Sequence, residues 1–451
     1  MVALLSGCSE ESFPSTSGRP PEPPPTTSSS GSGGSSSSSG TPPVLELVEV
    51  VDLGGQAIAR VDVIVNDKDG ALLEHTTTDA DGRARVDVPP DGSVSVLHKY
   101  SEIYNGQVST RRSIRTAVGL EEGGTDRVTL ATGPSVSLPA NEAMGPMTLI
   151  LGPAPAGTVS FHASLTCGGG HNFADGTHVV TDYTGCPGAN TYDVFVLAMD
   201  GDGLPIGYGA RLDQPFLPGV AVTHVFDVSS DDFVETSMTV SPIPTGSLRA
   251  DMALQGYRAE RPYYYGLSMQ YVNGAPGVEE TRTLRLPSGL FSKFSLSESV
   301  SLEDWPLYRF VGRWRSMTAL PSTSLWGPTS MATVESVDGA DLSDVARPLL
   351  RWSLAASGSL GDYVEVWQEW FPGQNGSTGW LVTQAPTRAG SARFPELPSA
   401  LAEYHLNVGD VFGTTTVVHR DDTGVNGVAD YLDGYEAGDE MTMARASRSP
   451  D

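Results

Sequence analysis

The chain has 451 residues, of which 54 are acidic and 27 basic, so its formal net charge is -27. That balance excludes electrostatic capture of nucleic acid, and no apolar run approaches the ~18 residues that a membrane-spanning helix needs. With 51 glycines and 33 prolines, the composition favours short strands and turns over long helices.

The first residues read Met-Val-Ala-Leu-Leu-Ser-Gly-Cys, and Leu5-Ser6-Gly7-Cys8 resembles the bacterial lipobox. The resemblance implies cleavage before Cys8 and lipidation of that cysteine, which would anchor the chain without spanning the membrane. The apolar residues before it are only the tail of a signal peptide, so a start further upstream is expected. Ser9 follows where an aspartate would signal inner-membrane retention, which points to the outer membrane or cell surface. From Ser9 to Pro43 every residue except Glu10, Glu11, Phe13, Arg19 and Glu22 is Ser, Thr, Pro or Gly. Such a segment has little to bury and is expected to be a disordered tether, spanning about 30–35 Å.

Two cysteines remain, Cys167 and Cys186. In an exported protein this pair is expected to form a disulfide, worth about 3 kcal/mol on the chain-entropy argument. The alternative is a zinc site from Cys167, His171, His178 and Cys186, whose ligand types suit the metal.

The body reads as all-β: tandem β-sandwiches behind the tether. Residues 44–132 form the first. Val61, Val63 and Val65 share one strand face, and Ala84, Val86 and Val88 another. Asp69-Gly70, Asp81-Gly82 and Asp91-Gly92 supply the turns. Gly55-Gln-Ala-Ile58 through Val63, Thr76 through Ala84, and Val86-Asp-Val88-Pro89 resemble the carboxypeptidase-regulatory-like domain. The resemblance implies a transthyretin-like β-sandwich that accompanies other modules and has no catalytic residues. Residues 135–240 are expected to form a second sandwich around Phe161, Leu165, Val179, Phe195 and Leu197. Residues 245–445 form one or two more. No exact internal repeat is visible.

All seven tryptophans fall between Trp305 and Trp380. Within Tyr363 to Trp370, Val364 and Val366 take one strand face, and Tyr363, Glu365, Trp367 and Glu369 the other. Rings interleaved with carboxylates suit a sugar platform. A second sheet or a neighbouring domain covering that face is the competing expectation. Glu365 and Glu369 are about 13 Å apart along a strand, too far for the roughly 5–9.5 Å of a glycosidase pair.

Asp421 to Asp433 is similar to the calcium loops of thrombospondin type-3 repeats, which would make Asp422, Asn426, Asp430 and Asp433 calcium ligands. Apart from that ion no cofactor is expected. The chain has no H-E-x-x-H, phosphate loop or dinucleotide fingerprint. The reading that results is a non-catalytic, lipid-anchored envelope protein presenting sandwiches for adhesion, polysaccharide contact or scaffolding. The alternative is an exported glycan hydrolase with its catalytic module in the last third.

Overall fold

Apolar residues recur at every second position through most of the chain, a period that buries one face of a strand. The structure, a computed structural model, describes residues 44–449 except 53–54, 105–106, 120–126, 133–142, 167–169, 175, 182, 185–189, 230–232, 245–246, 259–260, 269–278, 305–306, 373–375, 426, 428–430 and 433–438. The described residues are nearly all β, with one short 3-10 segment at Ser399–Tyr404.

The first sandwich contains β1 (Val44–Val51), β2 (Asp62–Asn66), β3 (Leu72–Thr77), β4 (Arg83–Val88), β5 (Ser93–Tyr104), β6 (Gln107–Val118) and β7 (Arg127–Ala131). They form a three-stranded sheet β4-β1-β7 and a larger one β3-β2-β5-β6. β1 runs antiparallel to β4 and parallel to β7. Val48, Val63, Val86, Val96 and Val128 fill the space between. Gly70 and Gly82 take the left-handed turn positions, φ 75° and 74°. The carboxylate of Asp79 accepts from the backbone N–H of Asp81 and Arg83, closing its turn.

The second sandwich contains β8 (Met147–Leu151), β9 (Ser160–Leu165), β10 (Gly170–Phe173), β11 (Thr177–Val180), β12 (Thr191–Met199), β13 (Pro205–Pro215) and β14 (Val222–Phe226). Its sheets are β11-β8-β14 and β10-β9-β12-β13. The third contains β15 (Phe233–Val240), β16 (Ser247–Arg258), β17 (Arg261–Ser268), β18 (Glu280–Pro287), β19 (Lys293–Asp304), β20 (Leu307–Met317) and β21 (Thr323–Trp326). Here the orders are β18-β15-β21 and β17-β16-β19-β20. Each order is the first sandwich's order shifted by seven strands, and each first strand again runs parallel to the last. The repeat is therefore one of strand pairing, with no repeated sequence to announce it. β15 belongs to the third unit, so the break falls before Phe233 rather than at residue 240.

The fourth unit contains β22 (Val334–Val337), β23 (Leu349–Leu354), β24 (Tyr363–Phe371), β25 (Gly376–Gln384), β26 (Ala389–Arg393), β27 (Val411–Asp422) and β28 (Glu440–Arg448). β25-β24-β27-β28 keeps the order of the larger sheets, and β26-β23 that of β4-β1. The place of the seventh strand is taken by β22, which precedes β23 and runs antiparallel to it.

The units are not a string of separate beads. The larger sheets of the third, fourth and first join edge to edge into twelve strands, β17-β16-β19-β20-β28-β27-β24-β25-β6-β5-β2-β3. β20 meets β28 antiparallel, and β25 meets β6 in parallel. The first unit thus docks on the last. Ile64, Leu97 and Ile114 turn away from their own core into that of the fourth unit, each contributing about 1.5–3 kcal/mol by burial. Polar contacts fix the register: Trp380 Nε1 donates to Thr116 Oγ1 at 3.0 Å, and Asn66 Nδ2 to the Glu396 carbonyl at 3.0 Å. The second unit packs on the third through Phe195, Leu197 and Met199, while Val179 stands exposed rather than in a core.

Candidate binding face

Tyr363 and Glu365 do not stand on an open surface. Tyr363 is fully buried, and its ring stacks on Tyr431 at 4.0 Å between centroids. Its hydroxyl donates to Asp422 Oδ2 at 2.8 Å. Glu365 accepts from the Tyr431 hydroxyl at 3.0 Å and pairs with Arg420 at 3.0 Å. Burial pushes both tyrosine hydroxyls well above their ordinary pKa. Tyr431 and Leu432 pack into the first unit's core and close this end of the face. The expectation of an exposed four-residue platform is corrected for these two, because Tyr431, from the segment between β27 and β28, covers them. Trp367 and Glu369 are half-buried. Trp367 has the Arg115 guanidinium over its ring at 5.6 Å, and Glu369 pairs with Arg111 at 3.0 Å.

A larger face opens beside them. Val311 and Ala444 point into the third unit's core, Ala446, Val417 and Val366 into the fourth's. The two three-stranded sheets therefore cover the same side of the twelve strands. Strand alternation puts Tyr308, Phe310, Gly312 and Trp314 of β20, Met441, Met443 and Arg445 of β28, Val418 of β27 and Trp367 of β24 on the other side. Among the described residues β4-β1-β7 covers that side over β3-β2-β5-β6, where Val63, Val96 and Ala117 point to it, while over β20, β28 and β27 no sheet lies there. Tyr308 is 45 % exposed, and Phe310, Trp314 and Trp367 are half-buried.

Glycines form the floor beneath the rings. A Cβ on Gly312 would come within 2.6 Å of Trp314 and 2.9 Å of Phe310; one on Gly379 would come within 2.7 Å of Trp367. Rings held against the sheet in this way present aromatic surface for C–H stacking, which at Trp367 is shared with the Arg115 guanidinium. Register aligns Tyr308, Ser447, Thr416, Trp367, Leu381 and Arg115 in one row across six strands. Tyr308 and Trp367 stand three strand spacings apart, about 14 Å. The Ser447 and Thr416 hydroxyls between them bond at 2.9 Å.

Trp326, Trp352, Trp370 and Trp380 are core residues, and Trp305 lies outside the described residues. Tyr308, Phe310 and Trp314 were missed from sequence, although Tyr308-x-Phe310-x-Gly312-x-Trp314 alternates as a strand face would.

Of the expected calcium ligands, Asn426, Asp430 and Asp433 lie outside the described residues. Asp422 is buried, with Oδ1 lacking a hydrogen-bond partner. Burial, then the nearby Asp362 and Glu365 charges, raises its pKa against the pull of Tyr363 and Arg420. The Asp362 carboxylate accepts from the N–H of Asp422 at 2.8 Å and of Gly427 at 3.3 Å. No group of three metal-ligating side chains occurs among the described residues.

Cys8, Cys167 and Cys186 also lie outside the described residues. His171 and His178 come together, ring centroids 5.5 Å apart, with Phe173 stacked on His178 at 4.7 Å. Burial, then the neighbouring His178 and His162 rings, lowers the His171 pKa. A cleft of about 350 Å³ lies between the first unit and Ser399–Tyr404. Of the charged residues that line it, Lys99 pairs with Glu403 at 2.6 Å and Asp62 with His75 at 2.8 Å. No helix among the described residues is long and apolar enough to cross a membrane.

No protein-family model and no curated protein matches the chain. Among solved structures it is similar to a leucine-rich repeat protein from Bacteroides thetaiotaomicron, with 12 % identity over 41 % of this chain and 25 % of that one, TM-score 0.17. It is also similar to the Bacillus anthracis TIE protein, with 10 % identity over 63 % and 50 %, TM-score 0.15. A streptococcal ancillary pilin matches at 9 % identity over 63 % and 97 %, TM-score 0.14. The chain spans a quarter and a half of the first two. Likenesses this distant carry no argument about what the protein does.

Proposed function

We propose that the protein is a non-catalytic envelope protein that holds a polysaccharide against the open face of its twelve-stranded sheet. The observation that carries this reading is the set of rings at Phe310, Trp314 and Trp367 that close over Gly312 and Gly379. Rings with the Ser447 hydroxyl between them suit a sugar chain, whose apolar faces stack and whose edges accept and donate hydrogen bonds. Cys8 would supply a lipid anchor, and residues 9–43 the tether that lifts the sheet from the membrane. The order β4-β1-β7 against β3-β2-β5-β6 suits an accessory sandwich of the carboxypeptidase-regulatory-like kind.

The test uses the full chain with Cys8→Ser in affinity electrophoresis against a glycan panel. Trp314→Ala and Trp367→Ala should each weaken retention by about threefold to tenfold with unchanged thermal unfolding. Retention unaffected by both would reject the platform, and glycan cleavage would reject the non-catalytic reading.

A further inference from the structure

The open face also carries charge. Glu365 pairs with Arg420 and Tyr431, Glu369 with Arg111, and Asp422 accepts from the Tyr363 hydroxyl, while register places Asp251 of β16 and Glu303 of β19 on the same side. Two guanidiniums have no carboxylate partner among the described residues. Arg445 is exposed, paired across strands with Phe310, and its Nε donates to Ser447 Oγ at 3.2 Å. Arg115 sits over Trp367, with its Nε buried and lacking a hydrogen-bond partner. They stand on β28 and β6, four strand spacings or about 19 Å apart, and flank the rings. Exposed Arg445 and half-buried Arg115 share one side of the sheet.

We infer, resting on the platform reading, that the glycan is acidic, with carboxylate or sulfate groups that meet Arg115 and Arg445 while its rings lie over the aromatic row. A guanidinium fork matches either anion in two parallel hydrogen bonds. The acidic remainder of the protein does not forbid this, since at about 0.15 M salt charges beyond about 8 Å are screened.

The experiment measures binding of the full chain carrying Cys8→Ser to immobilised polygalacturonate, dextran sulfate and neutral hydroxyethylcellulose. At least one of the acidic polymers should bind about tenfold tighter than the neutral one; which one separates carboxylate from sulfate. Arg115→Gln combined with Arg445→Gln should remove that advantage and leave the neutral polymer's binding as it was. Arg445→Gln alone, at an exposed position that cannot disturb the core, should remove part of it. Equal binding of acidic and neutral polymers, or an acidic preference that survives the double substitution, overturns the inference while leaving the platform standing. Failure of Trp314→Ala and Trp367→Ala to affect any polymer overturns both.

Discussion

Trp367 lies across Gly379 of the neighbouring strand, close enough that a Cβ there would sit 2.7 Å from the ring. The glycine sets the height and tilt of the ring. Gly379→Val should lift Trp367 off the sheet at a cost of about 1–3 kcal/mol. The fold should survive, because the strand is paired on both edges by β24 and β6. Glycan retention should drop as far as in Trp367→Ala, read by affinity electrophoresis beside a thermal melt. Full retention would mean that the ring's position is immaterial.

The first unit is held to the last by more than strand pairing. Leu432 enters the first unit's core beside Tyr363. Leu432→Ala should cost about 2–5 kcal/mol. Because the lost packing lies between units, the loss should appear as release of the first unit. Limited proteolysis should then cut between residues 119 and 143, before global unfolding. A single cooperative transition at lower temperature, without early cleavage, would show that the units unfold as one.

Asp422 gives a pH signature of unusual sign. Its carboxyl holds a proton more tightly folded than unfolded, so its contribution to stability falls as pH rises from about 4 through the raised pKa. Asp422→Asn keeps an oxygen for the Tyr363 hydroxyl and removes that slope. The same variant tests calcium. Bound at 100-fold excess over its dissociation constant, the ion would stabilise the wild type by about 2.7 kcal/mol and Asp422→Asn far less. A melting temperature indifferent to calcium in the wild type would reject the ion.

Residues close in sequence to the two body cysteines are already tied together, since the Tyr183 hydroxyl donates to the Thr166 carbonyl at 2.7 Å. Cys167 and Cys186 should resist alkylation until reduced, and reduction should cost about 3 kcal/mol. Free thiols in protein purified without reductant would reject the bond and return attention to His171 and His178 as metal ligands.

The strands of the first unit were legible because each signal is local. Val61, Val63 and Val65 alternate, and Asp-Gly pairs mark the turns. That Ile64 is also buried was not legible, since the core it enters is built from residues such as Trp352 and Trp380, nearly three hundred positions later. The cover over Tyr363 and Glu365 comes from Tyr431, beyond the end of β27, which alternation within their own strand cannot register. Alternation assigned their face correctly but said nothing about what would arrive there. The seven-strand repeat escaped for a related reason. Pairings such as β1 with β7 or β15 with β21 are long-range, and many apolar sequences satisfy them.

Tryptophan footprinting with a bound glycan tests the central reading most directly. A photochemical label should modify Trp314 and Trp367 in the free protein and spare both when the glycan is saturating. The buried Trp352, Trp370 and Trp380 should change in neither state. Protection confined to Trp314 and Trp367 would place the ligand on the open sheet face; unchanged labelling of both, with the glycan demonstrably bound, would put the binding site elsewhere.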